Sequence, residues 1–209
     1  MSRRFVVLFQ CRKPQQDDPL RQRAIVECVH TCARWRHYLK FSCHEIFGLW
    51  DPRTDMDLAT LDHEPFVERA IELAREAGAR GYGPYGTILV RDGEIVAEAQ
   101  NREHTDDDLA LHPELTLARE AAREMTAAER ARTVMYTSTE PCPMCASGIV
   151  YADLGGVVYS VSGAAVEATV GGETGLPCEA IFDSFGVEIP VVGDVLESEG
   201  LAVHREFEG

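Results

Sequence analysis

The chain lacks any apolar run approaching the roughly 18 residues that cross a membrane as a helix, so no membrane span is expected in it. It also lacks internal repeats and low-complexity stretches, and no secretory apolar segment opens it. Its seven cysteines are an odd set, two of them in one tight motif. That argues against a disulfide framework and for reduced thiols in the cytoplasm. Positive charge is scarce over most of the length. Of the 20 Lys/Arg and 35 Asp/Glu, residues 1–50 hold nine and four, so the remainder holds 11 against 31, a net of −20. A surface that acidic repels phosphate backbones and argues against nucleic acid as a partner. At 209 residues there is length for one domain plus an appendage.

What the chain does have is concentrated between Thr137 and Cys145, which reads Thr-Ser-Thr-Glu-Pro-Cys-Pro-Met-Cys. Cys142 and Cys145 stand three apart, just after Pro141. If a helix starts there, both sulfurs fall on one face of its first turn. The open N–H groups and positive dipole end of that turn favour thiolate over thiol. Two thiolates leave a zinc site unfinished. A third ligand is available in His112-Pro113-Glu114, directly before the apolar-periodic run Leu115, Ala118, Ala122 and Met125. One imidazole and two thiolates leave the fourth tetrahedral position for water, which is the catalytic rather than the structural type of zinc site. A carboxylate beside such a metal can carry protons, and Glu114, two residues past the ligand, is placed to do so. The plainer alternative is a structural Cys/Cys/His site whose fourth ligand lies elsewhere.

Residues 1–55 differ in character from the rest of the chain. They interleave Cys11, Cys28, Cys32 and Cys43 with His30, His37 and His44, in no recognisable zinc spacing. Phe5 to Phe9 could form a strand and Ala24 to Leu39 a helix, but neither has clear caps. The segment reads as a poorly defined N-terminal extension, with Met56 an alternative start to a domain over 56–209. Beyond Leu61 the signals sharpen. Asp62 is a candidate N-cap, Pro65 fits a first turn, Val67, Ala70, Ile71 and Ala74 make one apolar stripe, and Gly78 is the expected stop. Thr87 to Val90 and Glu94 to Ala99 read as strands joined by the hairpin signal Asp92-Gly93. A solvated acidic loop is expected over Glu103 to Asp108, then the His112 helix, a strand over Thr133 to Ser138 and the cysteine helix to about Asp153. Val157 to Val161 would pair parallel with the strand before that helix. Short helices over Ala164 to Val170 and Cys178 to Phe185, a last strand over Val187 to Val192 and a terminal helix over Leu196 to Phe207 complete the chain.

The H-x-E and P-C-x-x-C pair, in that order, resembles the signature of the zinc-dependent deaminases. Gly83-Pro84-Tyr85-Gly86 before a strand, a second strand ending in Asn101, and Glu140-Pro141-Cys142-Pro143-Met144-Cys145 resemble the cytidine-deaminase-like superfamily, in the branch of guanine and tRNA adenosine deaminases. The resemblance runs from about Leu61 to at least Ser162. It implies a three-layer α/β/α fold with a mixed five-stranded sheet, and one zinc per subunit held by His112, Cys142 and Cys145. It further implies Glu114 as catalytic proton shuttle, substrate contacts from Asn101, Tyr85 and the residue at Pro113, and a homodimer. One departure is Pro113, where the family usually has Ala or Gly with an N–H for the bound base; proline has none to give. The implied function is hydrolytic deamination of a small nucleobase or nucleoside, guanine or cytosine in type, with release of ammonia. The alternatives are adenosine deamination in a tRNA loop and a zinc-stabilised module without catalysis.

Overall fold

A computed structural model of the protein describes residues 58–102 and 108–208. The strand, helix and second metal site considered for residues 1–55 lie outside the described residues, as does most of the acidic segment before Asp108. No helix among the described residues is long and apolar enough to cross a membrane.

Among the described residues, seven α-helices and five strands run in the order α1 (Glu64–Ala79), β1 (Gly86–Arg91), β2 (Glu94–Gln100), α2 (Pro113–Glu124), α3 (Ala127–Arg130), β3 (Thr133–Thr139), α4 (Pro143–Ala152), β4 (Gly156–Val161), α5 (Gly163–Val170), α6 (Cys178–Phe185), β5 (Val191–Val192) and α7 (Glu197–Glu208). The sheet order is β2-β1-β3-β4-β5. Strand β1 runs antiparallel to both β2 and β3, whereas β3, β4 and β5 are mutually parallel, so the sheet is mixed as expected. Asp92 and Gly93 both have positive φ at the hairpin between β1 and β2, the geometry that matches strand twist.

The side-chain period of two divides the central strands between two cores. Leu89 and Met135 face Leu117, Ala118 and Ala121 of α2 and Ala146 and Ile149 of α4, with Phe182 of α6 packed beside them. Ile88, Val90, Val134, Tyr136 and Val158 face Val67, Ile71 and Ala74 of α1 and Val203 of α7. Helices thus cover both faces, giving the three-layer α/β/α arrangement. At Gly86 the sheet and α1 approach so closely that a Cβ would collide with the Ala70 carbonyl oxygen.

Four local expectations shift. Asp62 does not cap α1; His63 is the N-cap and makes no side-chain cap bond. Its ring instead donates from Nε2 to the Leu58 carbonyl at 2.8 Å and accepts the Tyr136 hydroxyl at Nδ1 at 3.0 Å. Gly78 does not stop the helix, which runs on to Ala79; the left-handed glycine is Gly81 (φ 82°), while Gly78 lies beneath the Phe207 ring. In α2 the buried face is Glu114, Leu117, Ala118 and Ala121, and Ala122 is exposed. Leu115 is only partly buried because it turns towards Gly148 of α4 instead of the sheet. The last strand contracts to Val191–Val192, since the Val187 N–H closes the end of α6 on the Phe182 carbonyl and Pro190 has none to donate.

Candidate active site

Two helix starts meet at the ends of β1 and β3. His112 precedes α2 and Cys142 precedes α4, each as an N-cap with extended backbone, and each is followed by proline at the first helical position. Neither side chain makes an N-cap hydrogen bond to its helix, and the imidazole and the thiol turn to the same cluster instead. Cys145, one turn into α4, is fully buried. The ligand atoms of His112, Cys142 and Cys145 lie within 4.8 Å of one another. His112 Nδ1 is 3.9 Å from Cys142 Sγ and 3.6 Å from Cys145 Sγ. With Zn–S about 2.3 Å and Zn–N about 2.0–2.1 Å, neighbouring donors of a tetrahedral zinc stand roughly 3.6–3.8 Å apart, so the donor set fits that metal. The two sulfurs compete for a proton: the Cys145 S–H hydrogen bond, opposed by burial and helped by His112, holds the Cys142 thiol well below its usual range. The same bond and burial push Cys145 up.

Glu114 sits at the second position of α2 with its side chain inward and only 5% exposed. Its Oε2 is 3.5 Å from Cys145 Sγ, while Oε1 accepts the Thr137 hydroxyl at 3.0 Å. Burial raises the carboxyl above its ordinary range, and its own backbone N–H and the Thr137 hydroxyl act in the opposite direction. A carboxyl shifted upward by burial is the kind that exchanges protons near neutral pH.

The strand end is braced by Glu140. One of its carboxylate oxygens accepts the Gly163 N–H at 2.9 Å and the other the Cys178 N–H at 2.8 Å. Those are the first residues of α5 and α6, so a single side chain satisfies open donors of two helices immediately before Pro141 and Cys142. Among the expected substrate contacts, Pro113 is buried at the start of α2. Asn101 is buried too; its backbone N–H donates to the Tyr85 carbonyl at 2.8 Å and its amide to the Gly83 carbonyl at 3.4 Å. The structure therefore brings His112, Cys142, Cys145 and Glu114 into one cluster, and Asn101 and Tyr85 into a neighbouring loop pair.

Sequence reasoning missed Thr87, Thr137 and Glu140. The signal available for Thr137 was the period of two along β3, which sets it on the same face as Met135.

Fold and donor set together define a domain of the zinc-dependent deaminase class. The family model for the cytidine and deoxycytidylate deaminase zinc-binding region matches residues 60–161. Over 101 residues the chain is 41% identical to the guanine deaminase of Bacillus subtilis, covering 48% of this chain and 65%, just under two thirds, of that enzyme. Over 145 residues it is 31% identical to the tRNA-specific adenosine deaminase of Agrobacterium fabrum, covering 68% of this chain and 91% of that one. A solved structure of guanine deaminase from Nitrosomonas europaea superposes with a TM-score of 0.58 at 22% identity, over 70% of this chain and 85% of that one, and shares the fold. The chain belongs to the cytidine and deoxycytidylate deaminase zinc-binding family.

Proposed function

We propose that the protein deaminates a free nucleobase or nucleoside, guanine first and cytosine next, with His112, Cys142 and Cys145 holding one zinc and Glu114 shuttling protons. The observation that carries this reading is the buried Glu114 carboxylate set against the Cys145 thiol without belonging to the three-donor set. A purely structural site has no use for a buried carboxylate, whose burial is costly unless it works or is paired. When bound, zinc supplies the Lewis acidity that makes water a nucleophile near neutral pH. Glu114 would take a proton from water and deliver it to the ring nitrogen of the cyclic amidine as the water oxygen bonds to the ring carbon. It would then carry the remaining proton of the new hydroxyl to the exocyclic amine, so that the carbon–nitrogen bond breaks, ammonia leaves and the ring carbon becomes a carbonyl.

The 41% identity to a guanine deaminase supports the purine base. The net charge of −20 past residue 50 supports a small substrate over a phosphate-rich one. Asn101 and Tyr85 are assigned to the base, and Pro113 removes one backbone donor from it. The domain is taken as 56–209, and the protein as a cytoplasmic homodimer; its described cysteines, Cys142, Cys145 and Cys178, are all free thiols. A second reading, adenosine deamination in tRNA, draws on the match over 91% of the Agrobacterium enzyme. Ammonia release from guanine, cytosine and their nucleosides, set beside inosine formation in a tRNA stem-loop, separates the two. Turnover of guanine is expected. Efficient inosine formation with no activity on any free base or nucleoside would reverse the assignment.

A further inference from the structure

We propose that Thr137, oriented by Thr87, is a positioning residue that fixes the rotation of the Glu114 carboxyl, and so the place from which it exchanges protons. The inference rests on the reading of Glu114 as the shuttle. Thr87 and Thr137 stand directly opposite each other in the β1–β3 ladder, and both are completely buried. The next pair on that face of the sheet is Leu89 and Met135, which is wholly apolar. Valine has nearly the shape of threonine and suits a strand equally well, so strand formation and packing do not call for hydroxyls here. Their partners do. The Thr87 hydroxyl donates to Thr137 Oγ1 at 3.0 Å, and Thr137 Oγ1 lies 3.0 Å from Glu114 Oε1 and 3.3 Å from the Gly86 carbonyl oxygen.

Thr137 has one proton for those two acceptors. The Glu114 oxygen is the closer acceptor, at 3.0 Å against 3.3 Å, so the proton goes to Glu114. Because Thr87 donates into the same oxygen, Thr137 is held as acceptor on one side and donor on the other. Oε1 is thereby occupied. Oε2, which accepts from the Cys145 S–H at 3.5 Å, is the oxygen turned towards the three donors. The last torsion of a glutamate is broad, so without this restraint the carboxyl plane turns and carries the oxygen near Cys145 Sγ off its place. A working oxygen displaced by about 1 Å costs on the order of 10²-fold in rate.

The test compares Thr137→Val, Thr137→Ser, Thr87→Val and Glu114→Gln in the full chain. The readouts are kcat and KM on guanine, bound zinc by metal analysis, and the infrared carboxylate band assigned to Glu114 by subtraction of the Glu114→Gln spectrum. Expected for Thr137→Val is a fall in kcat of about 10- to 100-fold, with KM and zinc content kept and the carboxylate band shifted. Thr137→Ser should restore the band and kcat to within a few-fold, and Thr87→Val should fall between. Combining Thr137→Val with Glu114→Gln should add no further loss, because the two act through one group. The proposal is overturned if Thr137→Val leaves kcat and the band unchanged while Glu114→Gln is inactive. It is also overturned if Ser is as damaging as Val, or if Val alone strips the zinc, which would assign the hydroxyl to stability. Full activity in Glu114→Gln would instead remove the shuttle reading itself.

Discussion

Helix α2 opens as His112-Pro113-Glu114 and helix α4 as Cys142-Pro143-Met144-Cys145, and the first two steps of each are the same in kind. A donor residue in extended backbone leads, and a proline, which has no N–H to leave open, takes the first helical place. The third step separates them. At about 100° per residue, a spacing of three returns a side chain close to the face of the N-cap, whereas a spacing of two swings it well away. Cys145 therefore converges with Cys142 on one point, and Glu114 does not converge with His112. Its carboxylate reaches β3 with one oxygen and the edge of the donor cluster with the other. A single residue of spacing thus distinguishes a second ligand from an acid that stands beside the ligands.

Breaking the convergence at α4 should have the largest effect. Cys145→Ala is expected to lose the zinc, nearly all activity and much of the thermal stability, because binding of a metal is coupled to folding; metal analysis and a melting curve measure this. Altering the other helix start should leave the metal and remove the chemistry. Glu114→Gln is expected to retain zinc and fold while kcat drops about 10²–10⁴-fold, the usual worth of a general acid–base group. The brace that holds α4's start should come next. Glu140→Ala leaves the Gly163 and Cys178 N–H groups without their acceptor and is expected to cost about 2 kcal/mol, at about 1 kcal/mol per bond. Glu140→Gln retains one acceptor oxygen and should cost roughly half as much, as read from denaturant midpoints. The smallest effect is expected from making the first helical position ordinary. Pro113→Ala restores an N–H at α2 and should keep zinc and shift stability by less than about 1 kcal/mol. If that N–H reaches the base, KM should move while kcat does not.

The metal end was legible in the sequence because its information is local. Cys142 and Cys145 share one turn, and His112 and Glu114 share another, so spacing alone carries their geometry. The hairpin at Asp92-Gly93 was legible for the same reason. What could not be read depended on distant register. Thr137 gains its role from Thr87, 50 positions earlier, and only the alignment of β1 with β3 brings the two hydroxyls together. Glu140 finds its partners at Gly163 and Cys178, which become open donors only once α5 and α6 begin there. The stripe on α2 was misjudged at Leu115 and Ala122 because the helix packs on α4 as well as on the sheet, and Leu115 serves the former contact. The last strand was overextended because Val187 has the alternation of a strand but gives its N–H to the end of α6.

The brace at Glu140 also has a direction in time. On a growing chain His112, Cys142 and Cys145 have all left the ribosome before either donor that Glu140 needs. The Gly163 N–H arrives first and the Cys178 N–H 15 residues after it. A nascent chain can therefore gather its three donors early, but the turn that carries two of them gains its final restraint only when α6 emerges. A chain stopped between Cys145 and Gly163 would own every ligand and still hold two of them on a strand end that Glu140 does not yet anchor, so metal exchange should slow late in synthesis.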